Sequence, residues 1–140
     1  MIKPVTVSQI KYIAHRLAAD TMSWDEPIPE FETRYPNVLE SCLATPFQTY
    51  AGKLLYNGLL EKAAILFYLL IKNHPFQNGN KRIAVTALLV FLYTNDKWLA
   101  VDPHALYKDA VWIAQSPPEA KDQMILYIKK FLGKHVIVKK

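Results

Sequence analysis

The chain has 140 residues, 51% apolar and 21% charged, which is the make-up of one compact domain and excludes a disordered tail. A net charge of +5 and a pI near 9.3 suggest a binder of polyanions, but residues 129–140 hold five lysines and no acid, and without them basic and acidic residues balance at 12 each. The basicity therefore reads as a tail (134–140) on a neutral body, direct nucleic-acid binding is not expected, and a single cysteine, Cys42, with four scattered histidines fits neither a disulfide framework nor a zinc finger.

The first segment, MIKPVTVSQIKYIAHR, lacks the uninterrupted apolar stretch of a secretory leader, and a cytoplasmic location is expected. Ser8 is the expected cap of a first helix whose Ile10, Ile13, Ala14, Leu17 and Ala18 form one apolar stripe. Over residues 20–35 the periodicity fails and prolines interrupt the backbone, which predicts an ordered loop or lid. Asn37 and Glu40 resemble a capping box for a short helix through Leu43, and Pro46 ends it.

The segments LLEKAAILFYLLIKN (59–73) and IAVTALLVFL (83–92) are apolar nearly all round. A helix with no polar face must be enclosed by neighbours, so these two are expected at the centre of a bundle. The longest apolar run, 63–71, falls well short of the roughly 20 residues of a membrane span, and no membrane association is expected. Asp102 and Pro103 open a further helix through Gln115. Ser116 and Glu119 are the expected cap of a last helix, closed by Gly133, and the final HVIVKK is a frayed tail or a short strand. The aromatic residues Tyr12, Phe67, Tyr68, Phe91, Tyr107, Trp112, Tyr127 and Phe131 recur at helical spacing and are read as core. His15, His104 and His135 are read as surface or capping residues. The expected fold is all-α, one domain over 1–140.

Between the two apolar helices lies HPFQNGNKR, residues 74–82. Gly79 allows close backbone approach, and the first-turn N–H groups after Asn80 point at a ligand from the positive end of a helix, which suits phosphate oxygens. Arg82 adds a bidentate donor and Lys81 a point charge. The chain contains no Walker pattern. His74 stands beside this anion site, and an imidazole titrating near neutrality can take a proton from a hydroxyl. Pro75 ends the preceding helix, and Phe76 points inward to anchor the loop. The reaction class suggested is activation of a hydroxyl next to a nucleotide's phosphates.

These residues resemble the Fic signature, His-Pro-Phe-x-(Asp/Glu)-Gly-Asn-(Gly/Lys)-Arg, in the lysine form of its death-on-curing (Doc) branch. The similarity extends over residues 39–95, within a core of about 37–115. The resemblance implies a single-domain, all-α Fic fold with His74 as general base, Gly79 and Asn80 as an anion hole, and Lys81 and Arg82 on the phosphate chain. Most Fic enzymes transfer AMP; Lys81 is similar to the branch that binds ATP reversed and transfers its terminal phosphate. The family's usual acid, which helps hold Mg²⁺, is here Asn78, so weakened metal binding is expected. The second arginine of AMP-transferring members is replaced by Val85.

No self-inhibitory Ser/Thr-x-x-x-Glu-Gly/Asn segment is present in the sequence, so the resemblance implies restraint by a separate antitoxin. Residues 45–53 correspond to a flap that docks the target polypeptide as an added strand, with Thr45, Phe47, Tyr50 and Lys53 as candidate contacts, Phe47 and Tyr50 having a core role as the alternative. The implied function is a toxin phosphorylating a target such as translation elongation factor Tu. The alternatives are an AMP transferase and, because of Asn78, a catalytically degenerate binding protein.

Overall fold

The computed structural model describes residues 1–21 and 27–139, and among these the fold is an all-helical domain of six helices with two small strand pairs. The first helix, α1, is a continuous run of an α-helical turn Val7–Gln9, a π-helical stretch Ile10–Ala14 and an α-helical segment His15–Thr21. Thr6 rather than Ser8 caps it. The Thr6 hydroxyl accepts from the Gln9 N–H at 3.1 Å, and Gln9 Oε1 accepts from the Thr6 N–H at 3.0 Å, a reciprocal capping box. The π stretch inserts a residue into the helical turn. The buried stripe therefore recurs at every fourth residue, Ile10, Ala14 and Ala18, while Ile13 and Leu17 are each 43% exposed.

The helix α2, Pro36–Ala44, begins two residues earlier than a cap at Asn37 would place it. Its cap is Tyr35 without a side-chain bond, and Pro36 occupies the first helical position, where a missing N–H costs nothing. A 3-10 turn, Thr45–Phe47, follows. Strands β1, Thr49–Tyr50, and β2, Lys53–Leu54, then form an antiparallel hairpin with Thr49 opposite Leu54.

The two apolar segments become the central helices α3, Gly58–Lys72, and α4, Asn80–Thr94. Every residue from 62 to 71 is buried. The polar groups on α4 are handled locally: Thr86, on its buried face, donates from Oγ1 to the Ala14 carbonyl in the π stretch at 2.8 Å. The helix α5, Pro103–Gln115, starts on Asp102 as expected, with Asp102 Oδ1 accepting from the His104 N–H at 3.0 Å. Ser116 does not start the last helix; its hydroxyl bonds back to the Ile113 carbonyl at the end of α5. A 3-10 turn, Pro118–Ala120, intervenes before α6, Lys121–His135.

That helix continues through Gly133, which lies against Leu60 of α3 rather than ending the helix. The terminal segment resolves as strand β4, Val136–Val138, antiparallel to β3, Lys97–Leu99, with Trp98 opposite Ile137. The basic tail is thus part of the fold. Lys139 Nζ sits 3.6 Å from Asp96 Oδ1 and 4.0 Å over the Tyr93 ring; Lys140 lies outside the described residues. Two aromatics read as core, Tyr12 and Trp112, are exposed. Among the described residues no helix is long and apolar enough to cross a membrane.

Candidate active site

The helix α3 ends on Asn73, and Lys72 Nζ fixes that end to α5 by donating to the Ser116 carbonyl at 2.6 Å. The next residue, His74, has φ +51°, the left-handed conformation in which helices usually end on glycine. A side chain in that conformation costs on the order of 1 kcal/mol and is kept only where its surroundings demand it. His74 is exposed at the rim of the loop.

The demand comes from Asn80 and Phe76. Asn80 Oδ1 accepts from the Phe76 N–H at 2.9 Å, and Asn80 Nδ2 donates to the Phe76 carbonyl at 2.9 Å. The same Nδ2 lies 3.5 Å from His74 Nδ1, too long a contact to impose a tautomer. The Asn80 side chain therefore acts as a brace between the helix start and the loop, and Phe76 is turned into the core with 2% exposure, as its apolar character predicts.

Gly79, φ +76°, caps α4 without a side chain, and its N–H donates to Asn78 Oδ1 at 2.9 Å. Intrahelical bonding starts with the Ile83 N–H to the Gly79 carbonyl at 3.0 Å, so the N–H groups of Asn80, Lys81 and Arg82 precede it at the positive helix end. Lys81 is half-buried; Arg82 is 2% exposed and forms part of the wall. The structure thus brings His74, Asn78, Gly79, Asn80, Lys81 and Arg82 together at one helix junction.

The wall opposite was not read from the sequence as part of the site. Of the stretch 20–35, which was expected to be an ordered loop or lid, residues 20–21 belong to the end of α1 and residues 22–26 lie outside the described residues; Phe31–Thr33 form a 3-10 turn, and Ile28, Phe31 and Tyr35 pack on the loop. A β-carbon on Gly79 would stand 2.7 Å from Ile28 Cγ1, so glycine is required there by space as well as by φ. The Tyr35 N–H donates to the Pro75 carbonyl at 2.8 Å. His15 is not a surface residue: it is half-buried, with Nε2 2.9 Å from the Pro29 carbonyl and its ring 5.6 Å from Phe31 and 6.0 Å from Phe76. Phe31 and Phe76 complete the cluster at 5.9 Å, and Arg34 stacks over Phe31 at 4.2 Å.

Thr45, Phe47, Tyr50 and Lys53 are not part of this junction, since they gather at the other end of α3. The Thr45 hydroxyl donates to the Ser41 carbonyl at 2.7 Å and tightens the end of α2. Phe47 is half-buried, with its ring 6.4 Å from Phe91 and 5.2 Å from Lys62 Nζ, so it packs as core. Tyr50 and Lys53 are exposed on the hairpin. Lys62 is a buried cation at the hairpin's base and also donates to the Tyr56 carbonyl.

The described residues of the loop do not fit a protein-held Mg²⁺. Residues 73–82 contain no carboxylate, the Asn78 oxygen already accepts from Gly79, and no group of three or more His, Cys, Asp or Glu among the described residues could hold a metal ion. A hard cation of this kind is normally bound through carboxylates together with substrate phosphates.

Comparison with known proteins agrees with the geometry. The family model "Fic/DOC family" matches residues 4–92. A curated protein, "Toxin Doc" from Mycolicibacterium smegmatis (strain ATCC 700084 / mc(2)155), is 38% identical over 73 residues, covering 52% of this chain and 56% of that relative. The chain thus spans little more than half the length of that relative. No solved structure matches it. A signature loop whose histidine, glycine and asparagine meet at one helix start, inside a family match that covers more than half of the chain, leads to one conclusion: the chain belongs to the Fic/DOC family.

Proposed function

We propose that this protein is a Doc-type toxin that transfers the terminal phosphoryl group of ATP to a hydroxyl of a target protein. The observation that carries this reading is the junction of His74 with the start of α4, where the Asn80 amide, bonded to Phe76, lies 3.5 Å from the imidazole beside a helix N-terminus. His74 takes the proton of the attacking hydroxyl. The hydroxyl oxygen forms a bond to the terminal phosphorus, the bond from that phosphorus to the β–γ bridging oxygen breaks, and ADP leaves with the bond's electron pair. The N–H groups of Asn80, Lys81 and Arg82, with the two side-chain cations, stabilise charge on the phosphoryl oxygens.

Phosphoryl rather than AMP transfer is supported by Lys81 and by Val85. Val85 is fully buried, so the position carries neither a second arginine nor open space for one. The M. smegmatis relative is named a toxin, which supports an antitoxin as partner, and we read the location as cytoplasmic. Elongation factor Tu is the first target to test.

The experiment incubates the purified chain, and separately His74→Ala, with ATP, Mg²⁺ and elongation factor Tu, and reads the target's intact mass. A phosphoryl increment with wild type alone is expected. A nucleotidyl increment overturns the kinase reading, and an equal signal from both proteins removes His74 from its role. A second reading, a catalytically degenerate binder, is favoured by one observation, the engagement of the Asn78 oxygen with Gly79. Transfer that appears only in Asn78→Asp would establish it.

A further inference from the structure

We propose that the groove between α2 and the end of α3 receives the backbone of the target polypeptide beside its accepting hydroxyl, an inference that rests on the transfer reading above. The groove has a volume of about 400 Å³ and is lined by Asn37, Val38, Ser41 and Asn73. Asn73 immediately precedes His74. The start of α2 is tied to the same loop by the bond from the Tyr35 N–H to the Pro75 carbonyl at 2.8 Å. The groove therefore opens next to the general base.

Its lining is three uncharged polar side chains and one apolar one. Asn37 and Ser41 lie one turn apart on the exposed face of α2, and no hydrogen bond to a described residue ties down either side chain. A primary amide offers a donor pair and an acceptor, the complement of a peptide group's C=O and N–H. Affinity through main-chain bonds suits a target held in extended form. The nucleotide is the other conceivable occupant, and charge argues against it. The only charged side chain on α2 is Glu40, an anion, whereas Lys81 and Arg82 belong to α4.

The same face of α2 also bridges a distance. Asn37, Ser41 and Ala44 are all exposed at helical spacing and lead to Thr45, where the chain turns into the hairpin. A polypeptide lying along this face would reach from the exposed hairpin edge to His74. The two ends of α3, fifteen residues long, are thereby connected by one binding track.

The test is a pair of NMR titrations of the isotope-labelled full chain, one with acetyl-Gly-Gly-Thr-Gly-Gly-amide and one with ATP. The peptide is expected to move the side-chain amide signals of Asn37 and Asn73 saturably, while ATP moves the backbone signals of residues 79–82. In Asn37→Leu/Ser41→Val, peptide binding weakens by about fivefold or more, the scale of one lost hydrogen bond, and the ATP titration is unchanged. Absence of peptide shifts at Asn37 and Asn73, or shifts there with ATP instead, overturns the proposal. Both substituted positions are exposed, and an unaltered spectrum elsewhere verifies the fold. Failure of phosphoryl transfer to any protein would leave these titrations readable, so the two ideas fail separately.

Discussion

Asn80 and Phe76 form a closed pair, with the asparagine amide bonded to both the N–H and the carbonyl of the phenylalanine at 2.9 Å each. Each of those backbone groups would otherwise be buried without a partner, because Phe76 is turned into the core. Asn80→Ala strips both bonds and is expected to cost about 2–4 kcal/mol, read as a lower denaturant midpoint. Asn80→Asp is expected to be at least as damaging, since a carboxylate keeps the acceptor for the Phe76 N–H but sets an oxygen against the Phe76 carbonyl.

Gly79 meets two constraints at once, a left-handed φ of +76° and an Ile28 side chain 2.7 Å from where a β-carbon would sit. Gly79→Ala is therefore expected to destabilise the fold by about 1–3 kcal/mol, seen as a fall in Tm. Adding Ile28→Ala removes the steric part only, so the double variant recovers some of that loss relative to Gly79→Ala and not all of it.

Lys62 holds both legs of the hairpin. Its ammonium donates to the Tyr56 carbonyl on one side and lies 5.2 Å over the Phe47 ring on the other. Lys62→Met keeps the stem and loses the charge, and is expected to cost about 1–3 kcal/mol. Hydrogen exchange over residues 48–56 should accelerate more than exchange in α4.

Glu61 gives the α3–α6 contact a pH dependence. A hydrogen bond from Lys129 at 2.8 Å, then one from the Asn57 N–H, holds its carboxyl below the usual carboxylate range. Because the folded value is depressed, the contribution is complete above the ordinary carboxylate range and is lost as pH falls through the depressed value. Lys129→Met should flatten that part of the acid unfolding profile and change little at neutral pH, where an exposed pair contributes modestly.

The central helices were legible because ten consecutive buried residues leave no polar face for solvent, and Asp102 was legible because the capping chemistry is local. The caps at Ser8, Asn37 and Ser116 were misplaced, since several polar residues near each helix start compete and packing selects among them. Ile13 and Leu17 came out exposed because a π stretch shifts the helical phase, and that insertion leaves no periodic signature in so short a helix. Within the site, His74 to Arg82 could be read as a contiguous motif. His15, Ile28 and Phe31 could not, because their role depends on a non-local packing against Phe76 that residue spacing does not encode.

Phosphoryl transfer with His74 as general base is tested most directly by following the label from ATP into the target. Two reactions are run with elongation factor Tu, one with radiolabel on the terminal phosphate and one with it on the α-phosphate, each with wild type and His74→Ala. Incorporation is expected from the terminal phosphate only, and only with wild type. Incorporation from the α-phosphate, or terminal label transferred equally well by His74→Ala, would contradict it.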